Sequence, residues 1–130
     1  MILIDANVFL AHDNTKDVHH KQAVRLWQEI ETGVHGAAFT TDYVLNEVAG
    51  VTFRKRGKEH TVKIGKQILT TMAILNIDER LLHEAWKLFT ETKTGLNLVD
   101  CTNIVALRIT NTNSIAMFDE GFKKVAKVVS

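Results

Sequence analysis

The chain has 130 residues, 45% of them hydrophobic and 24% charged, with a net charge of +1. That length supports one domain with a real core and is too short for two, so a single domain over residues 1–130 is expected. The near-neutral balance excludes a protein that holds polyanions by bulk charge, and a single cysteine, Cys101, excludes an intramolecular disulfide framework and a cysteine-rich zinc site.

The elements are punctuated by Gly, Asn, Asp and Thr, because the chain contains no proline. MILID (1–5) reads as a strand that ends on Asp5, and the start MILIDANVFLA lacks the basic n-region of a secretory signal. No apolar run reaches membrane-spanning length, so a cytoplasmic protein with no membrane partner is expected. DVHHKQAVRLWQEIETG follows as a helix, with Val24, Trp27, Ile30 and Val34 at helical spacing, Asp17 as its N-cap and Gly33 as its stop. GAAFTT (36–41) is the second strand. DYVLNEVAGVTFRKRG, capped by Asp42 and stopped at Gly57, and HTVKIGKQILTT are the next two helices.

MAILNI (72–77) is the third strand, and DERLLHEAWKLFTETKTG a helix from the Asp78 cap to Gly95 with Leu81, Leu82, Ala85, Leu88 and Phe89 on its apolar face. NLVDCTNIVALRI, capped by Asn97, is apolar almost all round, as a buried helix should be, and buries Cys101 as a small apolar residue. NSIAMFD (113–119) and VAKVVS (125–130) are the last strands, with a short helix EGFKKV between them. Strands alternating with helices, with apolar runs such as ILI and SIAMF, predict an α/β fold: a three-layer sandwich with a central parallel sheet of four to five strands flanked by helices. Trp27, Trp86 and the phenylalanines, spaced among Leu and Val, read as core.

Four acids, Asp5, Glu47, Asp100 and Asp119, lie in four separate stretches. Asp5 and Asp119 end strands, and Glu47 and Asp100 fall in the early turns of helices, so all four are expected at the carboxyl edge of the sheet, where open α/β sheets bind ligands. Carboxylates gathered there repel one another unless a cation holds them, and hard oxygen ligands suit a divalent metal. Each acid also has a structural reading. Asp5 and Asp119 could cap or start helices, Asp100 could complete a capping box with Asn97, and Glu47 could pair with Arg54. Two basic groups, Arg54 to Lys66 and Lys123 to Lys127, are expected to flank the acids, either as ordinary solvated faces or as contacts for a polyanion. The six histidines form no HxxxH pair, and no GxxxxGK[ST], GxGxxG or GxSxG motif is present.

The segments ILIDANVFLA, TTDYVLNEV, LNLVDCTNIVALR and SIAMFDEGFKKV resemble, in order and spacing, the four acidic motifs of PIN domains, most closely the VapC-type toxins of prokaryotic toxin–antitoxin pairs. The resemblance spans nearly the whole chain. Carried over residue by residue, it implies that Asp5, Glu47, Asp100 and Asp119 are the acidic quartet, with Asp5, Asp100 and Asp119 as metal ligands and Glu47 as a water-mediated ligand or base. Asn7 matches the family's polar residue after the first Asp, and Thr41 and Thr102 stand near the site as polar support. Met117 departs from the Thr or Ser that relatives often carry two residues before the last Asp.

The resemblance further implies an endoribonuclease dependent on Mg2+ or Mn2+, acting on structured RNA, commonly a homodimer and held inactive by a cognate antitoxin. A PIN nuclease of RNA processing or quality control, and a non-catalytic RNA-binding PIN module, stay open beside it. A haloacid-dehalogenase-like phosphatase needs a second Asp two positions after the first, where this chain has Asn7.

Overall fold

In the computed structural model, which describes residues 1–93 and 95–130, five short strands form one parallel sheet. They are β1 (Ile2–Ile4), β2 (Ala38–Thr41), β3 (Ala73–Leu75), β4 (Ser114–Ala116) and β5 (Lys127–Val129), in the order β3-β2-β1-β4-β5. The helices are α1 (Ala6–Asp13), α2 (His20–Glu31), α3 (Asp42–Thr71), α4 (Glu79–Glu91) and α5 (Leu98–Ile109), with a 3-10 turn at Glu120–Lys124.

The central strand is apolar at every position because both of its faces are covered. Ile2 and Ile4 pack with Phe9, Leu26, Trp27, Val44, Val48, Ile64 and Ile68 from α1, α2 and α3. Leu3, pointing the other way, packs with Ile115, Met117, Leu81, Ala85, Ile104, Leu107 and Phe122 on the α4 and α5 side. Those two cores make the expected three-layer sandwich, and the sheet has five strands. Cys101 is buried in the second core.

Sheet order reverses at β1. The chain moves outward through β2 and β3 on one side, then returns to place β4 and β5 on the other. A crevice opens between neighbouring strands at such a reversal, beyond their carboxyl ends. Asp5 follows β1 directly, with its N–H bonded to Ala116 O at 3.0 Å, so the β1–β4 ladder runs to the rim of that crevice.

Several boundaries differ from the sequence expectations. The N-cap of α2 is His19, not Asp17; Asp17 Oδ1 instead accepts from His19 N at 2.8 Å and shapes the turn before the helix. Val34 lies beyond α2 and is exposed. The cap of α3 is Thr41, whose Oγ1 accepts from Val44 N at 3.0 Å. Asp42 is displaced by one residue and accepts from Ile77 N and Asn76 Nδ2, tying α3 to the segment after β3.

The helix stop expected at Gly57 is present, by contrast: Gly57 takes φ 83° and ψ 178° and separates the two helical halves of α3. The expected extension of α4 to Gly95 stops at Glu91; Thr94 lies outside the described residues. Trp27 is core, but Trp86 is 55% and Phe53 56% exposed, and Phe89 is exposed as well. Helical spacing marks one face of a helix without saying that the next layer reaches it. No helix among the described residues is long and apolar enough to cross a membrane.

Candidate active site

Asp5 sits at the N-cap position of α1 yet makes no capping hydrogen bond with its side chain. It is 7% exposed, and its Oδ1 accepts from Asn103 Nδ2 at 2.9 Å. Burial raises its pKa from 3.8 to about 6; the backbone amides of Ala6 and Asn7 and the Asn103 amide oppose that rise, and the charge of Asp100 adds to it.

Glu47 lies in the second turn of α3, partly buried. Burial, then the charge of Asp100, raises its pKa. The Arg54 partner allowed by sequence spacing does not form: among the described residues Glu47 is in no ion pair. An i,i+7 spacing is two helical turns, and Arg54 instead lies against Gly50.

Asp100 is the N3 residue of α5, and the capping box expected there is present. Asn97 Oδ1 accepts from Asp100 N at 2.8 Å and Asp100 Oδ2 accepts from Asn97 N at 3.0 Å. Burial raises the pKa of Asp100, the Asn97 amide lowers it, and Asp119 raises it again. Asp119 stands three residues beyond β4, where Oδ1 accepts from Gly121 N at 2.9 Å and caps the 3-10 turn. The structural and functional readings of these two acids therefore coexist.

Asp100 is the hub of the group: its charge acts on Asp5 and Glu47, and the charge of Asp119 acts on it. The four acids, from four segments, form one electrostatic cluster at the reversal of the sheet. Among the described residues none of them is in an ion pair. Asp5 is buried, Glu47 and Asp100 are partly buried and Asp119 is exposed, and like charges drawn out of water without a cationic partner are costly.

The donor set is all oxygen, which fits a hard divalent cation. Two buried amide oxygens, Asn7 Oδ1 and Asn103 Oδ1, have no hydrogen-bond partner. Buried acceptors left unpaired are uncommon and suit a site that receives a hydrated cation. As the side chains stand, no three His, Cys, Asp or Glu residues among those described are arranged to hold an ion. Asp5, Asp100 and Asp119 each commit one carboxylate oxygen to a hydrogen bond, two of them to caps.

The hydroxyls expected as polar support are committed to the backbone. Thr41 caps α3, and Thr102 Oγ1 donates to Val99 O at 2.6 Å within its own helix. Thr40 Oγ1 donates to Ile4 O at 2.8 Å and braces the end of β1. Asn103 was not singled out by the sequence reading. Its signal was there: an amide one turn after Asp100, in the middle of a helix otherwise apolar.

Of the two basic groups, Lys55 and Arg56 line a groove of about 170 Å³ that reaches Asn7, two residues after Asp5, though none of the four acids lines it. The second group faces elsewhere. Lys124 and Lys127 line, with Arg108, a cleft of about 720 Å³ where β4 and β5 begin, at the opposite edge of the sheet.

A model of the PIN domain family matches residues 2–128. The solved structures similar to the chain include the sarcin–ricin loop cleaving toxin VapC20 of Mycobacterium tuberculosis, at 22% identity and TM-score 0.85 over 95% of this chain and 94% of that one. VapBC2 of Rickettsia felis, bound to a DNA fragment from their promoter, matches at 14% identity and TM-score 0.73 over 99% of this chain and 98% of that one. A toxin–antitoxin complex from Klebsiella pneumoniae matches at 19% identity and TM-score 0.66 over 100% of this chain and 97% of that one. No curated protein matches the chain.

Proposed function

The chain belongs to the PIN domain family, and from that premise we propose that it is a metal-dependent endoribonuclease, the toxin of a VapBC-type toxin–antitoxin pair. One observation carries the reading: four carboxylates from four segments meet at the sheet reversal, where the charge of Asp100 raises the proton affinity of Asp5 and Glu47 and that of Asp119 raises Asp100, and among the described residues none has a cationic partner. Phosphodiester hydrolysis needs positive charge at such a point, and a divalent cation brings it.

Asp5, Asp100 and Asp119, each with one carboxylate oxygen left free of the hydrogen bonds described, would hold the cation, Mg2+ or Mn2+. When bound, the cation neutralises charge on the phosphate and activates water at neutral pH. Glu47, partly buried and with its proton affinity raised by burial and by the charge of Asp100, would serve as a water-mediated ligand or as the base. Lys55, at the rim of the Asn7 groove, offers its charge to the phosphate backbone of the substrate.

The similarity to toxins in complex with antitoxins supports the toxin reading over a nuclease of RNA processing. It also supports an antitoxin as protein partner; a homodimer is part of the same proposal. The exposed Trp86 and Phe89, with ring centroids 5.7 Å apart on α4, form an apolar surface of the kind partner proteins cover. A non-catalytic RNA-binding module would have no use for four unneutralised acids.

The test is incubation of the purified chain with total RNA, with and without Mg2+, followed by mapping of the cleaved ends. Discrete ends that require the metal and disappear with the co-expressed product of a neighbouring gene are expected. RNA left uncut in Mg2+ and in Mn2+ overturns the enzyme reading, and cleavage without growth arrest on expression points to RNA processing.

A further inference from the structure

We propose that Asn103 is the positioning residue that aims Asp5 at the metal; the inference rests on the metal-site reading above. Asn103 is fully buried on α5, between buried neighbours Cys101, Thr102, Ile104 and Val105. An amide at that depth costs free energy unless its polar atoms are used. Its Nδ2 is used: it donates to Asp5 Oδ1 at 2.9 Å, across 98 residues of sequence. Among the described residues this is the one hydrogen bond that any of the four acids receives from another side chain.

The chemistry of the donor matters as much as its position. Lysine or arginine in its place would bring a positive charge and compete with the metal for Asp5. An amide fixes one carboxylate oxygen without adding charge, so the other oxygen keeps a set direction and the negative charge stays available to the cation. Outer partners of this kind hold a ligand's orientation and tune its affinity for metal.

The other end of the amide points to the same function. Asn103 Oδ1 is buried and has no donor, beside a carboxylate expected to receive a hydrated ion. Mg2+ gives up its waters reluctantly and usually keeps several. A water carried by the cation is the donor that Oδ1 lacks. Asn103 also lies one helical turn after Asp100, so one face of α5 supplies both an acid and the residue that orients a second acid on β1.

The experiment measures metal binding directly, by titrating Mn2+ into the folded, RNA-free protein in a calorimeter. Three proteins are compared: the parent, Asn103→Leu, which keeps the volume and removes the amide, and Asp5→Asn. The Asn103→Leu variant is expected to bind Mn2+ about 10–100-fold more weakly than the parent, a change that a purely structural amide would not produce in a protein that still folds. In parallel, Mg2+ added to 15N-labelled parent should move the Asn103 side-chain NH2 resonances as the site fills, which needs no variant.

Parent binding that Asp5→Asn abolishes but a folded Asn103→Leu retains in full overturns this inference and leaves the metal site standing. Static Asn103 side-chain resonances at saturating Mg2+ do the same. A parent that binds neither ion overturns the metal-site reading, and this inference with it.

Discussion

Asp100, in the first turn of α5, acts through its charge on Asp5 at the end of β1, and burial raises the proton affinity of both. The pH dependence of metal-free stability follows. Between the ordinary Asp5 value of 3.8 and the folded value of about 6, the native state holds a proton that the unfolded chain has released. Stability contributed by protonated Asp5 is therefore lost as pH rises through this window, by up to about 3 kcal/mol for a shift of roughly two units. Asp5→Asn removes the titration and keeps an acceptor for Asn103. Chemical denaturation without metal should find the variant more stable than the parent at pH 7.5, with the gap closing below pH ~4. The comparison cancels the opposite contribution of His12, whose proton affinity burial lowers. A gap that did not depend on pH would show that Asp5 ionises normally.

Asp100 is both a hub of the acids and half of a capping box. Asp100→Asn can still accept from Asn97 N, so α5 should stay formed and the melting temperature should hold or rise as a repulsive charge disappears. Metal-dependent cleavage should fall by about 100-fold or more, because a ligand worth several kcal/mol of charge stabilisation is lost. Initial rates on one labelled RNA, with circular dichroism as a control for folding, decide the matter. A variant cutting at the parent's rate would remove Asp100 from the site.

Lys55 borders the groove that runs to Asn7, and Arg54 beside it is exposed. If both touch substrate phosphates, replacing the two with Gln should weaken RNA binding at every sequence alike. It should also lower the slope of log K against log salt by roughly 0.7–0.9 per lost contact. Binding to catalytically dead Asp5→Asn, measured by fluorescence anisotropy across salt concentrations, reads both quantities. An unchanged slope would show that the α3 cations are merely solvated.

The sheet was legible because its strands are short apolar runs covered on both faces, and ILI and SIA lie in the structure where the runs lie in the sequence. The acids were legible one by one, and their shared edge followed from strand ends. What a single chain does not reveal is which side chains meet across layers. Asn103 meets Asp5 only because α5 crosses behind β1, so its role was hidden in a helix judged by its apolar majority. Glu47 gained its significance from Asp100, more than fifty residues away. Trp86 and Phe89 repeat at helical spacing like core residues, yet they stay 55% and 37% exposed.

Gly57 and Gly65 share α3 and should respond to alanine in opposite directions. Gly57 breaks the helix at φ 83°, ψ 178°, a region that essentially only glycine adopts and that costs other residues on the order of 1–3 kcal/mol. No atom lies within 4 Å of where its Cβ would stand, so the penalty for Gly57→Ala is purely conformational. The bend is held from outside as well. Asp13, at the end of α1, receives Arg56 Nη1 at 3.0 Å and His60 Nε2 at 2.7 Å, one residue on each side of the break. The chain therefore cannot relieve an alanine by straightening without breaking these contacts. Gly65 is helical, and its Cβ position is also free within 4 Å, so Gly65→Ala should stabilise by about 0.5–1 kcal/mol. Melting curves of the two variants should move apart from the parent, down for Gly57→Ala and up for Gly65→Ala, by about 3–5 °C per kcal/mol for a domain of this size. A neutral Gly57→Ala would mean that the two halves of α3 form a continuous helix in solution and that the Asp13 contacts do not hold the bend.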